Sequence, residues 1–520
     1  DGTSDAAAND DLDHGFGHSR PFNSQLRLPQ EPSLVTDGEL VAQSASPATY
    51  AHYHWYSESN DAPAIWITLA QRGLDYLKDV LLTQVLEAVT PFPLPNITRT
   101  ANIPFVGEVS ASFTNVTLVR AEVPSSTVAL GDTGVAVQAF NAAANLTLSW
   151  QYDYRNIWLP APVSDFGGAE VKVVGMQAGV SLGVREYLGT LHMSVLQCGT
   201  YIDNLEVQVK GESSWLYQWL VDGLEERMRS TIEEQLNEQI QEGVQNLNAF
   251  LLQTSQQVQV DDTAELNFTV VSEPIISPTS LSIGVKGQFV SPGSEGLASR
   301  HIPQLPPGLV CNGSTKMVTM ALSESILKDG AAIYYNADFL NWLLDKLPDQ
   351  TFLNTSKWKY LIPQLYQQYP NKEITLQFKV SAAPNVTLTL DGVDVSASAE
   401  MLIGVSDNGS NVQVACISII ASASGLAGLN GDNITGQVVL KDISLDLEWS
   451  NVGKIHLTLV KVFLKTLVKD VLLPYLNMSL RRGFPLPVIP SMKLKDSMVK
   501  YGVGYLMVCT DLEYVKSTGR

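Results

Sequence analysis

Gly179-Val180-Ser181-Leu182-Gly183 has the spacing of a nucleophile elbow, in which a serine on a sharp strand-to-helix turn projects its oxygen for acyl transfer. Here, however, the serine lies inside an unbroken alternation of apolar residues (Val174, Met176, Ala178, Val180, Leu182 and Val184), and more strand follows it. The segment therefore reads as plain strand, and ester hydrolysis through Ser181 stands only as an alternative. None of the seven histidines has the spacing of a metal site, and no glycine loop could cradle a phosphate. The sequence implies no metal, no cofactor and no enzyme.

A second group of residues could do electrostatic work. Lys461, Lys465 and Lys469 recur every four residues and share one helix face. With Lys454, Arg481 and Arg482 they outnumber Asp470, the one acid in that segment. The stripe reads first as a solvated face balanced by acidic neighbours, with attraction of anionic lipid headgroups as the functional alternative. Trp150, Tyr152, Tyr154 and Trp158 form an aromatic run that could serve a lipid–water interface or pack a strand end.

The elements that must carry these residues are legible in outline. Ile65 to Val89 reads as a helix with Leu74, Leu77, Leu81 and Leu82 inward, ending at Pro91-Phe92-Pro93-Leu94-Pro95. Alternating strands such as Val109/Ala111/Phe113 dominate to about residue 210. A long helix from Ser214 to Leu252 carries Leu216, Leu220, Leu224, Met228, Ile232, Leu236, Ile240 and Val244 at every fourth position. Steps of four against 3.6 residues per turn make that stripe drift, so the helix must wrap a curved surface. After a Pro/Gly-rich stretch, Ser291 to Gly308, the plan repeats: helical region 323–347, strands such as Ile374/Leu376/Phe378/Val380, and a helix from Val452 to about Leu480. The fold class is α+β: two pseudo-repeated halves with long amphipathic helices on a highly curved antiparallel sheet.

Composition sets the outer bounds. The chain has 520 residues and a formal net charge of −20, a field that repels nucleic acid. No apolar run is long enough to be a transmembrane segment. Ten N-x-S/T sequons occur, at Asn96, Asn115, Asn145, Asn267, Asn312, Asn354, Asn385, Asn408, Asn433 and Asn477. Many fall on the polar face of strand patterns, so the chain is expected to be a secreted glycoprotein whose signal peptide has been removed. Four cysteines allow three pairings; Cys311 with Cys416, both in the second half, is the expected bridge. Residues 1–60 carry nine acids against Arg20 and Arg27 and read as a mobile tail.

Several segments together resemble the bactericidal permeability-increasing and lipopolysaccharide-binding protein family. They are Ile67-Thr68, Gly73-Leu74-Asp75-Tyr76, Ser214-Trp215-Leu216, Lys286-Gly287-Gln288-Phe289, Tyr369-Pro370-Asn371-Lys372, Ser450-Asn451-Val452-Gly453 and Gly483-Phe484-Pro485-Leu486-Pro487. Trp150-Gln151-Tyr152 and Tyr334 to Phe339 bring the chain nearest to plant members.

The resemblance implies a boomerang of two tubular lipid-binding domains joined by a central sheet, at 61–272 and 309–515, with 273–308 as central strand and linker. It also implies acyl-chain pockets beneath the long helices, with Leu74, Leu77, Leu81, Leu216, Leu220, Leu224, Leu464 and Leu467 as candidate lining. Each buried methylene contributes about 0.8 kcal/mol, so an ordinary chain supplies roughly 10 kcal/mol. Headgroup candidates are Arg99, Trp150, Arg155, Trp158, Lys461, Lys465 and Lys469. Mammalian members carry a lysine-rich tip, whereas this one offers only Arg99 and Arg155. Cys198 lies near one partner position of the family's first-domain disulfide, but the following helix contains no cysteine. The implied function is binding of lipopolysaccharide or phospholipid in innate defence, with the bacterial outer membrane as a possible target. Phospholipid carriage between membranes is the alternative.

Overall fold

The computed structural model describes residues 62–516, apart from 89, 104–106, 133, 156–162, 211–214, 294–304, 312–314, 339–352 and 408. The acidic segment 1–60 lies outside the described residues, as do Trp158, Asn312 and Asn408.

The two halves meet in a six-stranded antiparallel sheet. Its order is Ile275–Ser277, Ser280–Val285, Ile65–Ala70, Val318–Ser323, Tyr505–Tyr514 and Met492–Gly502. It draws on the start, the middle and the end of the chain, a wider set than the linker strand expected from sequence. Ile65–Ala70 was expected to open the first helix. Instead it pairs with Ser280–Val285 on one side and Val318–Ser323 on the other. The local reason is its composition: Ile, Trp, Ile and Thr favour a pleated surface, and strands buried on both faces read as continuous apolar runs. The first helix, α1, runs only from Gln71 to Ala88.

Each end of this sheet carries a curved antiparallel sheet with helices laid on it. In the first half, long strands (Gly107–Glu122, Gly134–Arg155, Val163–Tyr187 and Thr190–Tyr201) pair in sequence, with register shifts that bend them. Helix α2, Trp215–Gln253, lies along Thr190–Tyr201. The second half opens with α3, Glu324–Asn336, and α4, Pro363–Gln368, and repeats the sheet with Ile374–Val380, Gly392–Asp407, Ser410–Asn430 and Asn433–Ser450. The expected closing helix is present but composite: α5, Leu457–Leu467, a π turn over Val468–Leu472, and α6, Leu473–Leu480. Pro474 explains the break. It has no N–H for the Asp470 carbonyl and its ring crowds that carbonyl, so the preceding N–H, that of Leu473, reaches back five residues to the Val468 carbonyl.

Two packed cores fill the outer parts of the halves. The first gathers Val109, Ala111, Phe113, Leu146, Leu148, Trp150, Val171 and Val173 against Met228 and Ile232 of α2. The second gathers Trp358, Ile362, Ile403, Ile417 and Ile443 against Val460 and Leu464 of α5. A third core lies under the central sheet.

The expected bridge is corrected by the geometry. Cys311 bonds Cys509, which lies on the central strand Tyr505–Tyr514, while Cys416 is buried on Ser410–Asn430 and stays free, as does Cys198. The link closes a 198-residue separation, joining two cysteines of the second half through the central sheet. No helix among the described residues is long and apolar enough to cross a membrane.

Candidate functional site

Between the first core and the central core, the first half carries an apolar strip of sheet whose side chains are only partly buried. Register fixes its floor. Val128, Val137, Val180 and Cys198 stand opposite one another across four neighbouring strands, and Leu130, Val135, Leu182 and Val195 form the next such row. Cross-strand partners share a sheet face. Helix α1 covers one margin of that face, where the Lys78 ammonium donates to the Ser126 hydroxyl at 2.6 Å and the Gln71 amide donates to the Val128 carbonyl at 2.8 Å. Helix α2 covers the other margin. Asn237 accepts from the Thr200 hydroxyl at 3.0 Å, and Asn248 clamps the Met193 backbone with both ends of its amide. Burial raises the pKa of the Cys198 thiol beneath α2.

Two helices thus flank a strip of sheet without meeting over it. Val135, Val137, Val180 and Leu182 on the strip are only partly buried. The walls behave likewise. Leu74 is buried and Leu77 packs towards the centre, but Leu81 and Val85, on the later turns of α1, are each 53% exposed. On α2 the stripe is packed at Met228 and Ile232, then partly open at Ile240, Val244 and Leu247. A helix and sheet whose apolar groups stay half in water form a groove rather than a core.

The predicted residues are sorted by this geometry. The side chains of Leu216, Leu220 and Leu224 lie outside the described residues. Leu464 is 2% exposed within the outer core of the second half and Leu467 packs beside it, so Leu464 fills that core rather than lining a slot. Trp150 was expected at an interface but is 4% exposed, with its indole donating to the Gly168 carbonyl at 3.1 Å. The alternation that places Leu146 and Leu148 inward carries Trp150 with them. Arg155 is exposed and Arg99 partly buried, on strands that flank Gly107–Glu122 from either side. Ser181 is 1% exposed mid-strand, between Ala136 and Gln197, with no turn and no helix after it, so the elbow geometry is absent there.

In the second half the lysine stripe splits. Lys461 and Lys465 both reach Asp442, at 3.1 and 2.8 Å. Lys465 first, and then Lys461, hold the Asp442 carboxyl well below the usual carboxylate range. Lys469, within the π turn, is exposed. It borders a cleft of about 560 Å³ between the outer edge of Asn433–Ser450 and the composite helix. Sequence reasoning counted Arg481 among the cations of this segment but missed Lys441 on the rim, because strand and helix residues far apart in the chain meet only through the fold. It also missed Asn477, read as a glycan acceptor. Its amide oxygen accepts from the Val438 N–H at 2.8 Å and its amide nitrogen donates to the Val438 carbonyl at 2.9 Å, so this sequon residue also ties the helix to the strand edge.

Taken together these features define a two-domain helix-on-curved-sheet protein, with an apolar groove in the first half and a cation-rimmed cleft in the second. Comparison with known proteins agrees. The LBP / BPI / CETP family N-terminal domain matches residues 73–247 and its C-terminal domain matches residues 258–514. A BPI/LBP family protein of Arabidopsis thaliana is 34% identical over 452 residues, covering 87% of this chain and 93% of that one. A bactericidal permeability-increasing protein of Sebastes schlegelii is 23% identical, with 87% and 95% covered. The human lipopolysaccharide-binding protein is 22% identical, with 87% and 94% covered. A crystal structure of lipopolysaccharide binding protein superposes with a TM-score of 0.63 at 20% identity, over 88% of this chain and all of that one. The chain belongs to the LBP/BPI/CETP family.

Proposed function

We propose that this protein is a secreted lipid-binding protein that seats acyl chains in the groove between α1 and α2. The observation that carries the reading is the floor of Val135, Val137, Val180 and Leu182, left partly exposed, with Leu81 and Val85 exposed on the helix that flanks it. Half-wet apolar groups on facing elements gain about 25 cal/mol for each Å² covered by a hydrocarbon chain. Relatives named for lipopolysaccharide binding and for bactericidal action extend the proposal to bacterial lipopolysaccharide and to innate defence. Asn96, Asn115, Asn145 and Asn385 are exposed and are the sequons the proposal assigns to glycans. Asn267 and Asn354 are partly buried, as is Asn433, whose amide nitrogen donates to the Arg482 carbonyl.

One observation favours phospholipid as the cargo. With Trp150 in the core, the described tip of the first half presents only Arg99 and Arg155 to a multiply phosphorylated headgroup. Organic extraction of the purified protein, followed by mass spectrometry, tests both readings. Co-purifying diacyl lipid is the expected result. Ester turnover abolished by Ser181→Ala, without bound lipid, would overturn the proposal in favour of an esterase.

A further inference from the structure

The cleft of the second half is built unlike the groove of the first. Its strand wall is Val438, Val439, Leu440 and Lys441, and its helix wall is Lys465, Lys469, Leu473, Pro474, Asn477 and Arg481. Four cations line it and no carboxylate does. Two of the four are already spent: Lys441 pairs with Asp394 at 2.6 Å and Lys465 with Asp442 at 2.8 Å. Among the described residues no ion pair engages Lys469 or Arg481, and both are exposed, with Asp470 the neighbouring acid in sequence. The fold makes this arrangement. The π turn that Pro474 imposes rotates the helix between Lys465 and Leu473, which separates Lys469 from the Asp442 pairings of the two lysines before it. Asn477 ties the helix to the strand edge at Val438, so the walls are fixed in place.

The geometry points to a binding site for the phosphate-bearing headgroup of an anionic phospholipid, held by Lys469 and Arg481. This rests on the lipid-binding reading above and adds a headgroup class and a place. Apolar neighbours decide for an amphiphile rather than a small free anion. Val439 is 55% exposed in the wall, and Met478 and Val462 are 52% and 61% exposed on the same composite helix. Cations set among exposed aliphatic groups suit a lipid whose phosphate meets the charge while its glycerol and first methylenes cover the valines and methionine. In a chain of net charge −20 such a site cannot act through the overall field, only through local contacts.

The test uses the full-length protein with vesicles of phosphatidylcholine alone or mixed with phosphatidylglycerol. The variants are Lys469→Gln/Arg481→Gln and, as a control away from the cleft, Lys461→Gln. The expected result is preference of the parent for the mixed vesicles, lost about 30-fold in the double variant and kept in the control, with phosphatidylcholine uptake unchanged throughout. Preference that survives the double substitution overturns the site. A parent with no preference, yet normal phosphatidylcholine uptake, overturns the site and leaves the acyl groove standing; failure to take up either lipid overturns both. Glycerol phosphate is the third arm. Competition by it as strong as that of the lipid shows a small-anion site and overturns the lipid assignment. Equal melting temperatures of parent and variants confirm that the comparison is between folded proteins.

Discussion

The two halves share a plan and differ in charge. In the first, α2 runs 39 residues without a break, fastened to its strand by Asn237, Asn248 and Glu233, and turns Glu226, Glu234, Glu238 and Glu242 to solvent. In the second, the matching helix is broken by Pro474 and carries cations where α2 carries acids. What survives in both is an apolar helix face packed on a curved sheet, at Met228 and Ile232 in the first half and at Val460 and Leu464 in the second. The comparison teaches that a helix laid on a curved sheet is the common property of the fold, while the cation-lined cleft belongs to one half.

The largest effects should come from the packed outer ends. Met228→Asp removes a 1% exposed side chain of the first core and buries an unpaired charge, with an expected loss of about 4 kcal/mol in that half. Leu464→Asp should do the same to the second. Denaturant melts that show each substitution confined to its own half support two independent cores, and a single shared loss contradicts them.

Next in size is the disulfide. Replacing Cys311 and Cys509 by serine frees a 198-residue loop, and the expected cost is about 2–5 kcal/mol. The loop contains the second half, so its transition should fall while that of the first half, whose Cys198 is free, stays in place. Asn477→Ala removes two hydrogen bonds to Val438 and should cost about 1–2 kcal/mol, again in the second half only, by thermal melting. Val137→Trp fills the first groove. Its stability should change by less than about 1.5 kcal/mol because the floor is not close-packed, whereas lipid recovered by extraction should fall markedly. The smallest effect is expected from Lys461→Gln, within about 0.5 kcal/mol, since its exposed pairing partner keeps Lys465.

How much of this was legible in the sequence follows from the range of the forces involved. The drifting stripe on α2 correctly announced a helix wrapped on a curved sheet, because periodicity is local. The strand Ile65–Ala70 was hidden because its partners lie more than 200 residues away, and its apolar run merges with the helix behind it. Trp150 obeyed its strand's alternation, so the pattern already held the answer that its chemistry obscured. The groove floor was not legible. Val137 and Val180 look like any inward strand residue, and only the spacing of two helices over them decides whether they meet protein or open space. Asn477 satisfied a sequon motif, yet its neighbour in space is a strand edge 39 residues upstream. Lys469 and Arg481 were visible as charges, but their freedom depends on where Asp442 and the π turn fall.

The most direct measurement is an experimental density map of the protein as purified, inspected over Val137 and Val180 between α1 and α2. Continuous elongated density, at hydrocarbon contact distance from Leu81, Val85 and Leu182, is the expected result. Side chains closing over those valines, with no room for a chain, would contradict the account at its centre.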